Sequence, residues 1–114
     1  MHIYLLIDGS DYSECREEIV AAIELWLTES RSSAVLINNL DDSEDLLGLS
    51  IDTNRKLTFK KPLEFLDSLA QQHQQEFVVG LFDDQQQRED ICYFGFEEGK
   101  PDLLEIASYL GLEK

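Results

Sequence analysis

The sequence predicts an α/β (α+β) fold: a mixed sheet of about five strands with a β-α-β start, a C-terminal β-hairpin and three helices. Three observations predict it. Short runs of apolar, β-forming residues recur along the chain, at residues 2–7, 34–37, 77–82 and 91–96. Between and after them, apolar residues change to helical spacing. The resulting order, β-α-β-turn-β-α-β-β-α, suits a sheet covered by helices.

The run His2-Ile3-Tyr4-Leu5-Leu6-Ile7 reads as a buried strand, which Asp8, Gly9 and Ser10 end. A helix follows over residues 11–30. Ser10 or Asp11 caps it, with Glu14 three residues beyond Asp11 and acids clustered in the first turn. Tyr12, Cys15, Ile19, Ala22, Ile23, Trp26 and Leu27 recur at helical spacing and form one apolar stripe. Residues 34–37 make a second buried strand. Strand, helix, strand is a βαβ unit, so these two strands are expected to run parallel, joined by a right-handed crossover.

Residues 41–45 read as a turn or helix start leading into Leu46-Leu47, with Gly48 closing it. Residues 57–59 read as a short strand, with Lys56, Thr58 and Lys60 on one face as a guard for a sheet edge. Pro62 suits the first turn of a helix that runs through Leu63, Leu66, Leu69 and Ala70 to about Gln75. The strands 77–82 and 91–96 are joined by residues 83–90, a link without helical pattern that implies an antiparallel hairpin. Gly99 and Pro101 punctuate the chain before a last helix over residues 102–110. Leu103 or Leu104, Ile106, Ala107 and Leu110 point inward there, and Gly111 is the C-cap.

With 114 residues, the chain is expected to form one domain, residues 1–114. Twenty-four acidic residues face nine basic ones, a formal charge of −15. Apolar residues make up 43%, with one Trp, six Phe and four Tyr, so the charge does not signal disorder. Residues 1–54 hold twelve acids and only Arg16 and Arg31; residues 62–114 hold twelve acids and only Arg88, Lys100 and Lys114. The other four bases sit within residues 55–61. A body so charged repels nucleic acid and anionic membranes and attracts a basic partner over long range. The apolar runs are far too short to span a bilayer, and no secretory signal is read at the N-terminus. Cys15 and Cys92 are too few for a disulfide framework, so a cytoplasmic protein with reduced thiols is expected.

The motifs that suggest small-molecule chemistry are incomplete. Ile7-Asp8-Gly9-Ser10 followed by Ser13 resembles the opening of universal stress proteins over about the first 25 residues. That family's glycine-rich phosphate loop has no counterpart here, because Gly48, Gly80, Gly95, Gly99 and Gly111 are dispersed. The same residues approximate the Asp-x-Ser-x-Ser metal site of von Willebrand A-type domains, but Tyr12 stands where a small hydroxyl is needed. The oxygen ligands of residues 41–45 alternate as in a calcium loop, yet Leu46 and Asp52 occupy the positions an EF-hand gives to Gly and Glu. Glu98-Gly99-Lys100 after Asp90 imitates a nuclease triad, which would have to grip a polyanion against the charge. His2 and His73 are the only histidines, and neither sits in a nucleophile motif. No catalytic residue, cofactor or metal is expected.

What remains is the acid. Asp83, Asp84, Glu89 and Asp90 flank the hairpin link, Glu97 and Glu98 follow its second strand, and Asp41, Asp42, Glu44 and Asp45 form a further cluster. These ten are the expected partner-binding residues, and exposed Tyr or Phe beside them would act as anchors. In size, charge and lack of catalytic residues the whole chain resembles the bacterial immunity proteins of contact-dependent growth inhibition and other polymorphic toxin systems. The resemblance implies a non-enzymatic cytoplasmic inhibitor that neutralises a basic, often nuclease, toxin domain by blocking its active site. Two other readings compete: a small-molecule-binding module of the universal stress type, and a nucleic-acid mimic that regulates a DNA-binding protein.

Overall fold

The computed structural model describes residues 2–8, 15–31, 33–40, 45–85 and 87–112, and for Asn39, Leu40 and Asp45 the backbone alone. The elements are β1 (His2–Ile7), α1 (Arg16–Ser30), β2 (Val35–Leu40), β3 (Asp45–Asp52), α2 (Lys56–His73), β4 (Glu76–Phe82), β5 (Arg88–Gly95) and α3 (Leu103–Leu110). The expected α+β class, five strands, three helices, β-α-β start and C-terminal hairpin are all present. The proposed cap and start of the first helix, residues 10–14, lie outside the described residues.

One sheet holds the strands in the order β2-β3-β1-β4-β5, and every neighbouring pair is antiparallel. The expected mixed sheet is thus an antiparallel one. β1 and β2 do run parallel, but β3 lies between them and is antiparallel to both. Through β4, connectivity and strand order are those of the split βαβ, or ferredoxin-like, arrangement; β5 and α3 extend it.

β3 corrects the expectation that a turn or helix start at residues 41–45 runs into Leu46-Leu47 and closes at Gly48; residues 41–44 lie outside the described residues. Leu47, Leu49 and Ile51 alternate inward while Leu46, Gly48 and Ser50 face the other way, the period of a strand. Gly48 ends nothing. It stands opposite Leu6, where a Cβ would run into the Leu5 carbonyl. The strand expected at 57–59 is instead the first turn of α2, because Phe59, Leu63, Leu66 and Ala70 continue one helical stripe. Pro62 therefore lies inside this helix, where its lost backbone donor is offset by burial of its ring. The bases of residues 55–61 consequently guard no sheet edge; Lys60 pairs instead with Glu64 at 3.7 Å on the helix surface.

All three helices cover one face. Ile19 and Ile23 of α1, the α2 stripe, and Ile106 and Leu110 of α3 pack on Ile3, Leu5, Leu49, Phe77, Val79 and Phe94. In α3, Leu103 turns inward and Leu104 outward, and Gly111 caps the helix in the left-handed region at φ 75°. The opposite face has a smaller cluster of Tyr4, Leu6 and Val78 with Ile37, Leu46 and Phe82.

A candidate acidic interface along the edge strand

β5 is the last strand of the sheet, and six of the described acids, Asp83, Asp84, Glu89, Asp90, Glu97 and Glu98, lie on it or on the segments flanking it. The link before it is shorter than the expected residues 83–90, since β5 already begins at Arg88. Asp83 builds the turn: its Oδ1 accepts from the backbone N–H of Gln85 and of Gln87, each at 2.8 Å. Asp84 is exposed beside it.

A β-bulge then re-aims the strand. Val79 pairs with Cys92 but Gly80 pairs with Asp90, leaving Ile91 as the extra residue. Ile91 and Cys92 consequently both pack toward the helix-covered core, although they are consecutive. Asp90 moves onto the open face, where its carboxylate accepts a hydrogen bond from the Tyr4 hydroxyl. The Tyr4 ring reaches it by lying across Gly80, where any Cβ would collide with the phenol oxygen and with the Glu89 carbonyl. Phe82 packs on Tyr4 at 5.1 Å between ring centroids, and His2 packs edge-on against Phe82 at 5.5 Å. The Arg88 guanidinium lies 5.8 Å from the Tyr4 ring centroid, within cation–π range. Tyr4 is 0% exposed although no helix described here covers this face. Burial, then the hydrogen bond and the charge of Asp90, push its phenol far above the usual range.

The other end of β5 is pinned by Glu76. Its two carboxylate oxygens accept from the backbone N–H of Glu97 and of Glu98, each at 2.9 Å, and Gln71 Nε2 donates to the Gly95 carbonyl at 3.0 Å. The side chains of Glu97 and Glu98 are thereby held at the surface. Between the two ends, Tyr93 is 49% exposed and Phe96 46% exposed.

The ten expected contact residues therefore separate. Asp83 and Asp90 are engaged in building the hairpin and holding Tyr4. Asp84, Glu89, Glu97 and Glu98 are exposed, and their carboxylates take no part in a hydrogen bond or ion pair among the described residues. Asp41, Asp42 and Glu44 lie outside the described residues, as does the Asp45 side chain. The Asp45 backbone pairs with Leu40 at the sheet end opposite the 83–87 turn and three strands from β5. The sheet therefore does not bring residue 45 beside the hairpin acids. The unforeseen residues were Tyr4 and Gly80, although an isolated glycine within a strand pattern is itself a sign of close approach.

Cys15 and Cys92 are both half-buried. Burial pushes the Cys92 thiol up to about 11 from an ordinary 9.0, with the Glu105 carboxylate adding to it. A thiol held protonated is a poor nucleophile. At pH 8, iodoacetamide is expected to label Cys92 about 100-fold more slowly in the native protein than in urea, the factor two pH units imply. Residue-resolved mass spectrometry measures this ratio. The sign also fixes a stability window: the contribution of Cys92 is complete below pH 9 and is lost as pH rises toward 11, because the unfolded chain ionises first.

Among the described residues, no group of three or more His, Cys, Asp or Glu is placed to hold a metal ion. No described helix is long and apolar enough to cross a membrane. The fold and this strip together define a split-βαβ α+β domain with an acidic, aromatic-bearing edge. No protein-family model, curated protein or solved structure matches the chain.

Proposed function

We propose that this chain is a cytoplasmic, non-catalytic inhibitor that captures a basic protein domain along β5, in the manner of a toxin immunity protein. The observation that carries this reading is the strip itself: four disengaged carboxylates with Tyr93 and Phe96 exposed between them. Guarding an edge strand against aggregation accounts for Arg88, Glu89, Asp90 and the bulge. It does not account for Glu97 and Glu98, which lie beyond the strand, and exposed aromatic rings weaken such a guard. Eight strand residues extend about 26 Å, a length that suits a partner footprint of roughly 800 Å². The charge would accelerate encounter, and the two rings would prolong residence. Occupying a basic substrate channel with this edge blocks the channel without any chemistry by the inhibitor.

The test uses the product of the gene adjacent to the one for this chain, purified and assayed for nuclease activity. Saturable one-to-one binding with loss of that activity is the expected outcome. Full activity at saturating inhibitor, or no binding at low salt, would refute the reading.

A further inference from the structure

The C-terminal end of α1 and the first turns of α2 border an open cleft of about 480 Å³. Its lining includes Trp26, Arg31, Ser33, Thr58, Lys61 and Pro62. The volume lies within the range of small-molecule sites. Its chemistry is the reverse of the rest of the surface: a chain of charge −15 places two cations and no carboxylate around this space.

Three features distinguish the cleft from an incidental groove. Arg31 and Lys61 make no hydrogen bond or ion pair among the described residues, in a protein rich in carboxylates. The exposed Ser33 and Thr58 hydroxyls, which also line the cleft, are likewise without a protein partner there. Arg31 also occupies the left-handed region, at φ 54° and ψ 38°, as the C-cap of α1. Glycine is the ordinary residue at such a position, since a side chain is strained there.

We propose that this cleft binds the phosphate group of a small phosphomonoester, with the organic part against Trp26 and Pro62. Arg31 would take two phosphate oxygens through its planar fork and Lys61 would supply a point charge. Ser33 and Thr58 hydroxyls donate to the remaining oxygens. Two cations plus hydroxyl donors suit a tetrahedral dianion better than a planar monocarboxylate. The acids on β5 do not forbid binding at physiological salt, where charges further than about 8 Å apart are largely screened. This site is independent of the partner proposed for β5.

Trp26 is the only tryptophan in the chain, so intrinsic fluorescence reports on the cleft directly. The probes are phenyl phosphate, inorganic phosphate and benzoate, each titrated at 0.15 M salt. A saturable fluorescence change with phenyl phosphate is expected, weaker with inorganic phosphate and absent with benzoate. Backbone amide shifts at Ser33, Thr58 and Lys61 should follow the same curve. Lys61→Gln and Arg31→Gly should each weaken phenyl phosphate binding about tenfold, the loss of one charge-assisted contact. Arg31→Gly should do so while its melting temperature holds or rises, which a purely structural arginine could not produce. No saturable change, an equal response to benzoate, or unaltered affinity in both variants would overturn the assignment. Inorganic phosphate binding as tightly as phenyl phosphate would overturn the organic half of it.

Discussion

Gly80→Ala is expected to destabilise the protein by about 3 kcal/mol, more than most single substitutions. The added methyl has nowhere to go: Tyr4 lies on one side and the Glu89 carbonyl on the other. Relief requires Tyr4 to lift from the sheet. That breaks its hydrogen bond to Asp90, a bond to a charged group worth about 1.5–3 kcal/mol, and uncovers a buried ring. Overpacking alone contributes about 1–3 kcal/mol. Urea unfolding followed by circular dichroism measures the loss. Tyr4→Phe removes the hydroxyl, and with it the hydrogen bond that the methyl would break, while the ring Cζ and the Glu89 carbonyl stay in the way. Because both single changes forfeit that one bond, the double variant should lose less than the two combined, by about 1 kcal/mol or more. Strict additivity would show that Gly80 and Tyr4 are not coupled, against the geometry described above. The same constellation makes the wild-type protein sensitive to alkali. The unfolded phenol ionises near 10.0 while native Tyr4 does not, so the stability it contributes is lost above that pH.

Reversing Asp84, Glu89, Glu97 and Glu98 to lysine should slow association with the basic partner about 100-fold at low salt. The four reversals move the formal charge from −15 to −7. They spare Asp83 and Asp90, whose carboxylates hold the turn and Tyr4, so the fold should survive. A second variant reversing Glu17, Glu18, Glu24 and Glu29 on α1 carries the same net charge on the other face of the sheet. Stopped-flow association of both variants separates a local interface from a general field. The β5 variant should lose most of its rate and its salt dependence, and the α1 variant only a few-fold. Equal losses would mean that total charge, not this edge, directs encounter. Tyr93→Ala and Phe96→Ala should act differently, raising the dissociation rate while association stays fast.

Much of the fold was legible because local patterns and burial agree. His2–Ile7 and Glu76–Phe82 are central strands that read as nearly continuous apolar runs, as strands covered on most of their surface do. Asp102 and Gly111 bracket α3 with an N-cap and a left-handed C-cap, signals carried by single residues. β3 was hidden since Gly48 reads as the close of a turn, and only the approach of the Leu5 backbone explains a glycine there. The start of α2 was hidden because Pro62 normally opens a helix; Phe59, packed in the core, carries the helix one and a half turns further back. The acids of the candidate interface could be counted from the chain but not sorted. Asp83 and Asp84 are neighbours with the same chemistry, and only the turn geometry shows that one is engaged and the other exposed.

By itself, the sequence determined the class of domain, its three helices, four of its five strands, and the sign of the field around them. These follow from composition and from periods of two and 3.6 residues, which are local properties. Tertiary structure alone decided that β3 enters between β1 and β2, and that a bulge turns Asp90 toward Tyr4. It also decided that Arg31 and Lys61 line one cleft. Each of these depends on residues distant in the chain competing for one space, and such competition leaves no periodic trace in the order of residues.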